Sequence, residues 1–441
     1  MIDFFKKIFH EEDNLEPNLV FGRFTDFYKE KSKFSEWDTA IDLHQKKSYF
    51  PAIRHFFKYL TDDTSANVHI EDLSSTKMKF HFFQGSKKID GFVNEDGFFA
   101  ESKIAHCDKI SIAAMRSLLE ENYHLKYCSY ALDSEENLTI VMQTDFLDGS
   151  PYKLYFGLKE LATRADRRDD VMIRKFPELS SIVSGSLSHI DDKEKEIKFN
   201  YIQSAINYLL IKVEQDADKL HNFPGLVSYK ILSTIFCIDY FVKPEGMTME
   251  HIENIHKTFF TVTTISPEKK NNEMLKELKK IQLIGKKDLF NEMYNTKSTF
   301  GNLVAGNHKR YQELFESEMK HFQWYMDNGY KDYVLDIPNY IAGLLLYTYS
   351  MPLPDKYLLH ILLRVLNNDL FVSLGFTSFI RANGSLDKKK IIASVEEKFK
   401  SFEDSYKNLD FDASNISFEN LYTFAYSYMS YIYQLNLEKN E

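Results

Sequence analysis

The period of the hydrophobic pattern changes once along this chain, and that change constrains the fold more than any motif does. Residues 65–105 and 126–146 alternate apolar and polar positions, as half-buried strands do. Beyond about residue 190 a helical spacing takes over and continues to the end. Composition agrees with long regular elements. Only 16 Gly and 10 Pro punctuate 441 residues, while aromatics reach 15%, nearly all Phe and Tyr. With 44% hydrophobic and 27% charged residues and a net charge of -10, the chain has ordinary globular balance, and its length suggests two domains.

The early elements are legible one by one. Trp37, Ala40 and Ile41 share one side of a helix opened by Ser35, and Ile53, Phe56, Phe57 and Leu60 share one side of a second. Val68 and Ile70 mark a strand, and Met78, Phe80 and Phe82 alternate with Lys77, Lys79 and His81 in another. Gln84-Gly85-Ser86 turns the chain into Lys88–Val93, and Asn94-Glu95-Asp96-Gly97 leads to an optional short strand at Phe98–Ile104. A helix follows with Ile112, Met115, Leu118 and Leu119 on its apolar side. Tyr127–Leu132 and Leu138–Thr144 then pair across a polar loop, and Ser150-Pro151 supplies an N-cap and first-turn proline for a long helix. The reading is an α+β N-terminal domain, a helix-flanked antiparallel sheet in the order α-β-β-β-(β)-α-β-β-α, followed by an irregular all-α domain. Boundaries are an extension at 1–34, the α+β domain at 35–178, a serine-rich linker at 179–190 and the helical domain at 191–441.

This order resembles the type III secretion chaperone-like fold shared by bacterial YbjN-like proteins. Three local features match in kind: Leu118-Leu119-Glu120-Glu121-Asn122 closing the middle helix, like an LLxxN motif; the Gly-containing turn at 84–86; and the long final helix entered at Ser150-Pro151. The likeness covers roughly residues 35–178, and the extra strand at 98–104 favours the YbjN-like branch. It implies a non-enzymatic, often homodimeric protein that binds extended segments of other proteins. Ile112, Met115 and Leu119 would then form a dimer surface, and Phe56, Phe57, Phe80 and Phe82 would offer apolar contacts or serve as core.

The helical part divides at proline-marked starts and polar loops into 191–221, 225–243, 248–262, 267–284, 286–296, 302–328, 337–350, 354–371 and 386–407, with a last helix at 417–435. The apolar stretches Leu226–Val242 and Tyr340–Met351 fall short of the roughly 18 residues a membrane span needs. Phe4, Phe5, Ile8 and Phe9 make a short N-terminal apolar face without a signal-peptide core. Cys107, Cys128 and Cys237 have no paired spacing. A soluble, cytoplasmic protein with no integral membrane segment is expected.

No pattern points to a reaction. Fourteen histidines include no HExxH, and His360, set among Leu358, Leu359 and Ile361, reads as a core or rim residue. GxSxG, P-loop, GxGxxG and zinc-deaminase patterns are all missing. The lysines between Lys269 and Lys287 are interleaved with acids, so no nucleic-acid footprint is expected. The densest charge cluster, Lys159–Asp170, includes Arg164, Arg167, Arg168, Asp169 and Asp170, a candidate polar interaction surface in which Glu160 and Arg164 stand four apart and self-pair. The expectation is a cytoplasmic adaptor or chaperone-like module that recognises a partner protein segment, without cofactor or metal. The alternative is an enzyme or small-molecule sensor with a pocket between the two domains.

Overall fold

Alternating side chains can bury one face of a sheet only if helices cover that face, and the first half of the chain is built on this requirement. The computed structural model describes residues 16–29, 31–62, 65–109, 112–182, 187–402, 405–406 and 409–437, apart from the side chains of 167–172, 174–175 and 181. Helices α1 (Lys31–Gln45) and α2 (Tyr49–Leu60) precede strands β1 (Val68–Ser74), β2 (Lys77–Gln84), β3 (Lys87–Asn94) and β4 (Gly97–Cys107). Helix α3 (Ile112–Asn122), strands β5 (Ser129–Leu132) and β6 (Asn137–Thr144), the long α4 (Pro151–Lys175) and strand β7 (Leu179–Ser181) follow. The α+β order is therefore as the sequence indicates.

The sheet runs β1-β2-β3-β4-β6-β5, and all these pairs are antiparallel. The optional strand is in fact the sheet's centre: β4 has 11 residues and pairs with β3, β6 and β7. Strand β7 lies within the serine-rich segment, where Leu179 pairs with Cys107. On one sheet face Met78, Phe80, Phe82, Ile89, Phe98, Ile140 and Met142 pack against Ile53, Phe56 and Phe57 of α2 and Leu154, Leu158 and Leu161 of α4. Phe56, Phe57, Phe80 and Phe82 are therefore core and not contact residues. The opposite face carries His69, Glu71, Lys79, His81, Phe92, Phe99 and Glu101, half-buried or exposed.

The second half is helical, with elements α5 (Asp192–Gln215), α6 (Ala217–Leu220), α7 (Pro224–Val242), α8 (Gly246–Phe260), α9 (Pro267–Leu283) and α10 (Lys286–Asn291). A short parallel pair, β8 (Val304–Ala305) with β9 (Tyr349–Ser350), flanks α11 (His308–Glu318), α12 (Lys320–Asp327), α13 (Lys331–Val334) and α14 (Asp336–Thr348). Helices α15 (Leu353–Leu366), α16 (Asn368–Ser373), α17 (Lys388–Lys400) and α18 (Leu421–Gln434) complete it. Helix α7 is the axis of this half. With Pro224 and Gly225 it reaches 19 residues, long and apolar enough to cross a membrane by length and composition, yet 83% of it is buried inside the protein. Its neighbour α14 approaches at Gly343, where a Cβ would stand 2.6 Å from the Cβ of Phe236.

Two threads tie the halves together. Residues 16–29 form a strap that runs into the helical half before the sheet begins. Phe21 sits among Tyr240, Phe241, His360, Phe371 and Phe376. Arg23 donates to Asp239 at 2.9 Å, to Glu245 at 2.5 Å and to the Pro244 carbonyl at 2.7 Å. In return, a loop from the helical half enters the sheet core. Phe300 packs edge-on against Phe82 and Tyr155, and the Gln84 side chain receives the Thr299 and Phe300 amides at 3.1 and 2.9 Å.

Candidate interaction site

Helix α3 is amphipathic, and its two sides have different fates. Ala114 and Leu118 are buried against the sheet, and Met115 packs partly on the same core. Ile112, Leu119 and Tyr123, spaced seven and four apart, line the outer side and are 83%, 69% and 88% exposed. Arg116, paired with Glu120, interrupts the row between Ile112 and Leu119, yet three large apolar side chains this exposed on one side of a helix are unusual on a surface that meets only water. Of the three residues expected at a self-association surface, Ile112 and Leu119 are thus free and Met115 is half committed to the core.

Polar contacts hold this helix in place. The Asn122 side chain accepts from the Tyr130 amide at 2.7 Å and donates to its carbonyl at 3.4 Å, standing where a further strand would pair with β5. The Asn of the Leu118–Asn122 motif thereby closes one edge of the sheet. The preceding residue, Glu121, meets Arg164 of α4 at 3.6 Å. Glu160 does not complete the expected pair with Arg164. Its carboxylate instead accepts from the amides of Lys126, Tyr127 and Cys128 at 2.8–3.2 Å, a nest of N–H groups that suits an anion. Burial, reinforced by that carboxylate, pushes the Cys128 thiol far up, so it stays protonated. The first part of the charge cluster therefore belongs to the same corner as the ridge. The side chains of Arg167, Arg168, Asp169 and Asp170 lie outside the described residues, as do Phe4, Phe5, Ile8 and Phe9.

The other titratable groups singled out from the sequence have local partners. Tyr240 meets His360 Nδ1 at 3.0 Å inside the ring cluster around Phe21, and burial, aided by Arg364 and Lys356, pushes that imidazole down to about 4. His251 pairs with Glu277 at 2.8 Å, and His256 sits against Phe236, Phe260 and Tyr347. One buried pair had no sequence signal: His308 Nδ1 lies 2.8 Å from Asp355 Oδ1, joining the first turns of α11 and α15. Burial pushes the Asp355 carboxyl up against the opposing pull of His308. They stand 47 positions apart in the chain and neither is in a recognisable motif; the parallel β8–β9 pairing, just ahead of each helix, brings them together.

An open groove of about 510 Å³ lies between α8 and α9, lined by Lys257, Thr261, Lys270, Lys276 and Glu273 among others. Lys270 is spent on the Phe259 and Thr261 carbonyls, capping α8, and Lys280 on Glu277. Where the strap meets the helical half, a void of about 10 Å³, barely room for one water, is lined by Gly22, Arg23, Ser350 and Lys356. No group of three or more His, Cys, Asp or Glu among the described residues is placed to hold a metal ion. No protein family, curated protein or solved structure matches the chain.

Proposed function

We propose that this protein is a non-catalytic, cytoplasmic recognition module that seats an apolar segment of a partner protein on the outer side of α3. The observation that carries the reading is the ridge of Ile112, Leu119 and Tyr123, exposed along three turns of a helix whose position is fixed by Asn122 and Arg164. Burying three such side chains is worth roughly 1.5–3 kcal/mol each before the costs of association, enough for a specific contact when the surface is already ordered. The neighbouring Arg164 adds a planar donor at the rim, where charge sets orientation more than affinity.

The test is to compare wild type with an Ile112→Glu, Leu119→Glu variant in cross-linking pull-downs from native cells, read by mass spectrometry. The variant is expected to fold as wild type, since substitutions at exposed positions shift stability by about 0.5 kcal/mol or less. It is expected to lose a protein that wild type captures through cross-links to α3. A variant that retains every wild-type interactor overturns the reading.

A further inference from the structure

We propose that the outer edge of β1 pairs with the same edge of a second copy of this chain, antiparallel and centred on Ile70. The two ends of the sheet differ. At the β5 end the outward amide and carbonyl of Tyr130 are occupied by Asn122. At the β1 end the Phe83 amide donates to the Asn67 carbonyl at 3.0 Å, which sets the alternation of the ladder. By that alternation His69 and Glu71 bond to β2, while the backbone groups of Val68, Ile70 and Asp72 point outward. Among the described residues, none of these outward groups has a hydrogen-bond partner.

The length of this edge selects its partner. It begins at Val68, because Asn67 is buried and tied to Thr299 and the Leu60 carbonyl. It ends at Asp72, because the ladder shifts register between Asp72 and Ser74. The free edge is thus five residues, Val68-His69-Ile70-Glu71-Asp72, with Ile70 at its midpoint. Only a two-fold register centred on Ile70 uses all three outward pairs, matching Val68 with Asp72 of the second copy and Ile70 with itself. That register sets His69 opposite Glu71 on the open face, twice. Shifting it toward the C-terminal end would set Glu71 against Glu71, a repulsive pair. The row continues the match: Glu71 lies opposite Lys79, and His69 stacks on His81 at 4.6 Å, so across the joint Lys79 and Glu71 of one copy meet the paired histidines of the other. Arg54 meets Asp72 at 2.8 Å and offsets its charge beside the incoming Val68. Ile70, 38% exposed, would finish its burial against its own copy.

Sedimentation equilibrium of the full chain, over a wide range of concentration, is expected to show a dimer of twice the chain mass. Ile70→Pro is expected to abolish it without loosening β1 from β2, because the amide it removes points outward. Circular dichroism melting checks that this variant folds. Should it not fold, Glu71→Lys, which places Lys against His69 of the second copy, is expected to weaken the dimer instead. Register is read separately: under mild oxidation Ile70→Cys is expected to give a covalent dimer, whereas Val68→Cys is not, its copies being four residues out of step. A monomer at all concentrations overturns the inference. So does a dimer that survives Ile70→Pro, or equal cross-linking by both cysteine variants. Leu119→Glu is expected to leave the dimer intact. If it alone dissolves the dimer, self-association belongs to α3 and the β1 joint is refuted, while the recognition ridge is tested by its own pull-down.

Discussion

At the scale of single residues, this protein spends several polar side chains on holding backbone rather than on chemistry. Asn122 stands in for a strand, Glu160 collects three amides, and Gln84 receives two from the far half of the chain. His360 is a different case, a titratable ring held neutral. Burial first, then the nearby charges of Arg364 and Lys356, puts its folded value at about 4, below the roughly 6.5 of an unfolded histidine. A depressed folded value means that the unfolded chain takes up the proton first. The stability contributed by His360 is therefore present above about pH 6.5 and is lost as pH falls toward 4. Near pH 5 the wild-type chain is expected to take up about one more proton on unfolding than His360→Gln, which retains a partner for the Tyr240 hydroxyl. Urea midpoints measured from pH 7 to 4.5 check this, and parallel pH profiles for the two chains would contradict it.

At the scale of elements, one arginine supplies the charge that ties the middle of the strap to α7. Arg23 neutralises Asp239, which is 2% exposed on α7, and also meets Glu245. Arg23→Met leaves a buried carboxylate unpaired and is expected to cost about 3–5 kcal/mol in urea unfolding. Adding Asp239→Leu is expected to recover much of that loss, since replacing both partners of a buried pair with apolar groups is often neutral. A double variant no better than the single one would show that the strap's contribution lies elsewhere. The same elements show what was readable in advance. The strands of the sheet and the Ser150-Pro151 start of α4 follow from local spacing, because each buries one face against one partner. The N-cap is confirmed by the Lys153 amide, 3.3 Å from the Ser150 hydroxyl. Breaks inside the helical stretches were not readable. The expected 191–221 divides at Asp216, 302–328 starts at His308 and divides at Met319, and 354–371 divides at Asn367. At Asp216, Met319 and Asn367 the apolar period continues through the break, so tertiary context overrides it; the start at His308 follows from Asn307, whose side chain caps the Arg310 amide. β4 was underestimated because a strand buried at the centre of a sheet loses its clean alternation. The ridge on α3 was visible as an apolar face, but its exposure is a tertiary fact. Ile112 and Leu118 look alike in sequence and end on opposite sides of the helix.

For the whole molecule, the decisive feature is that each hydrophobic core holds a piece of the other half. Phe21, from the strap ahead of the sheet, packs in the helical core, and Phe300, from the helical half, is a fully buried member of the sheet core. Neither core is complete when the other half unfolds. Losing Phe300 alone opens a cavity in the sheet core, and large aromatic truncations of this kind cost about 3–5 kcal/mol. Loss of the strap similarly empties the ring cluster around His360 and strands Asp239. The halves are therefore expected to unfold in one transition, although their sequence textures look like those of two independent domains. The chain has only two tryptophans, and they report separately: Trp37 is in α1 and Trp324 in α12. Trp324→Phe leaves the sheet half visible by fluorescence, and Trp37→Phe leaves the helical half visible. The two single-tryptophan chains are expected to share one pattern: after each is corrected for its own substitution, Phe21→Ala and Phe300→Ala move both signals by the same free energy. If Phe300→Ala lowers only the Trp37 midpoint, and Phe21→Ala only that of Trp324, the exchanged threads do not couple the cores and the halves fold as separate units.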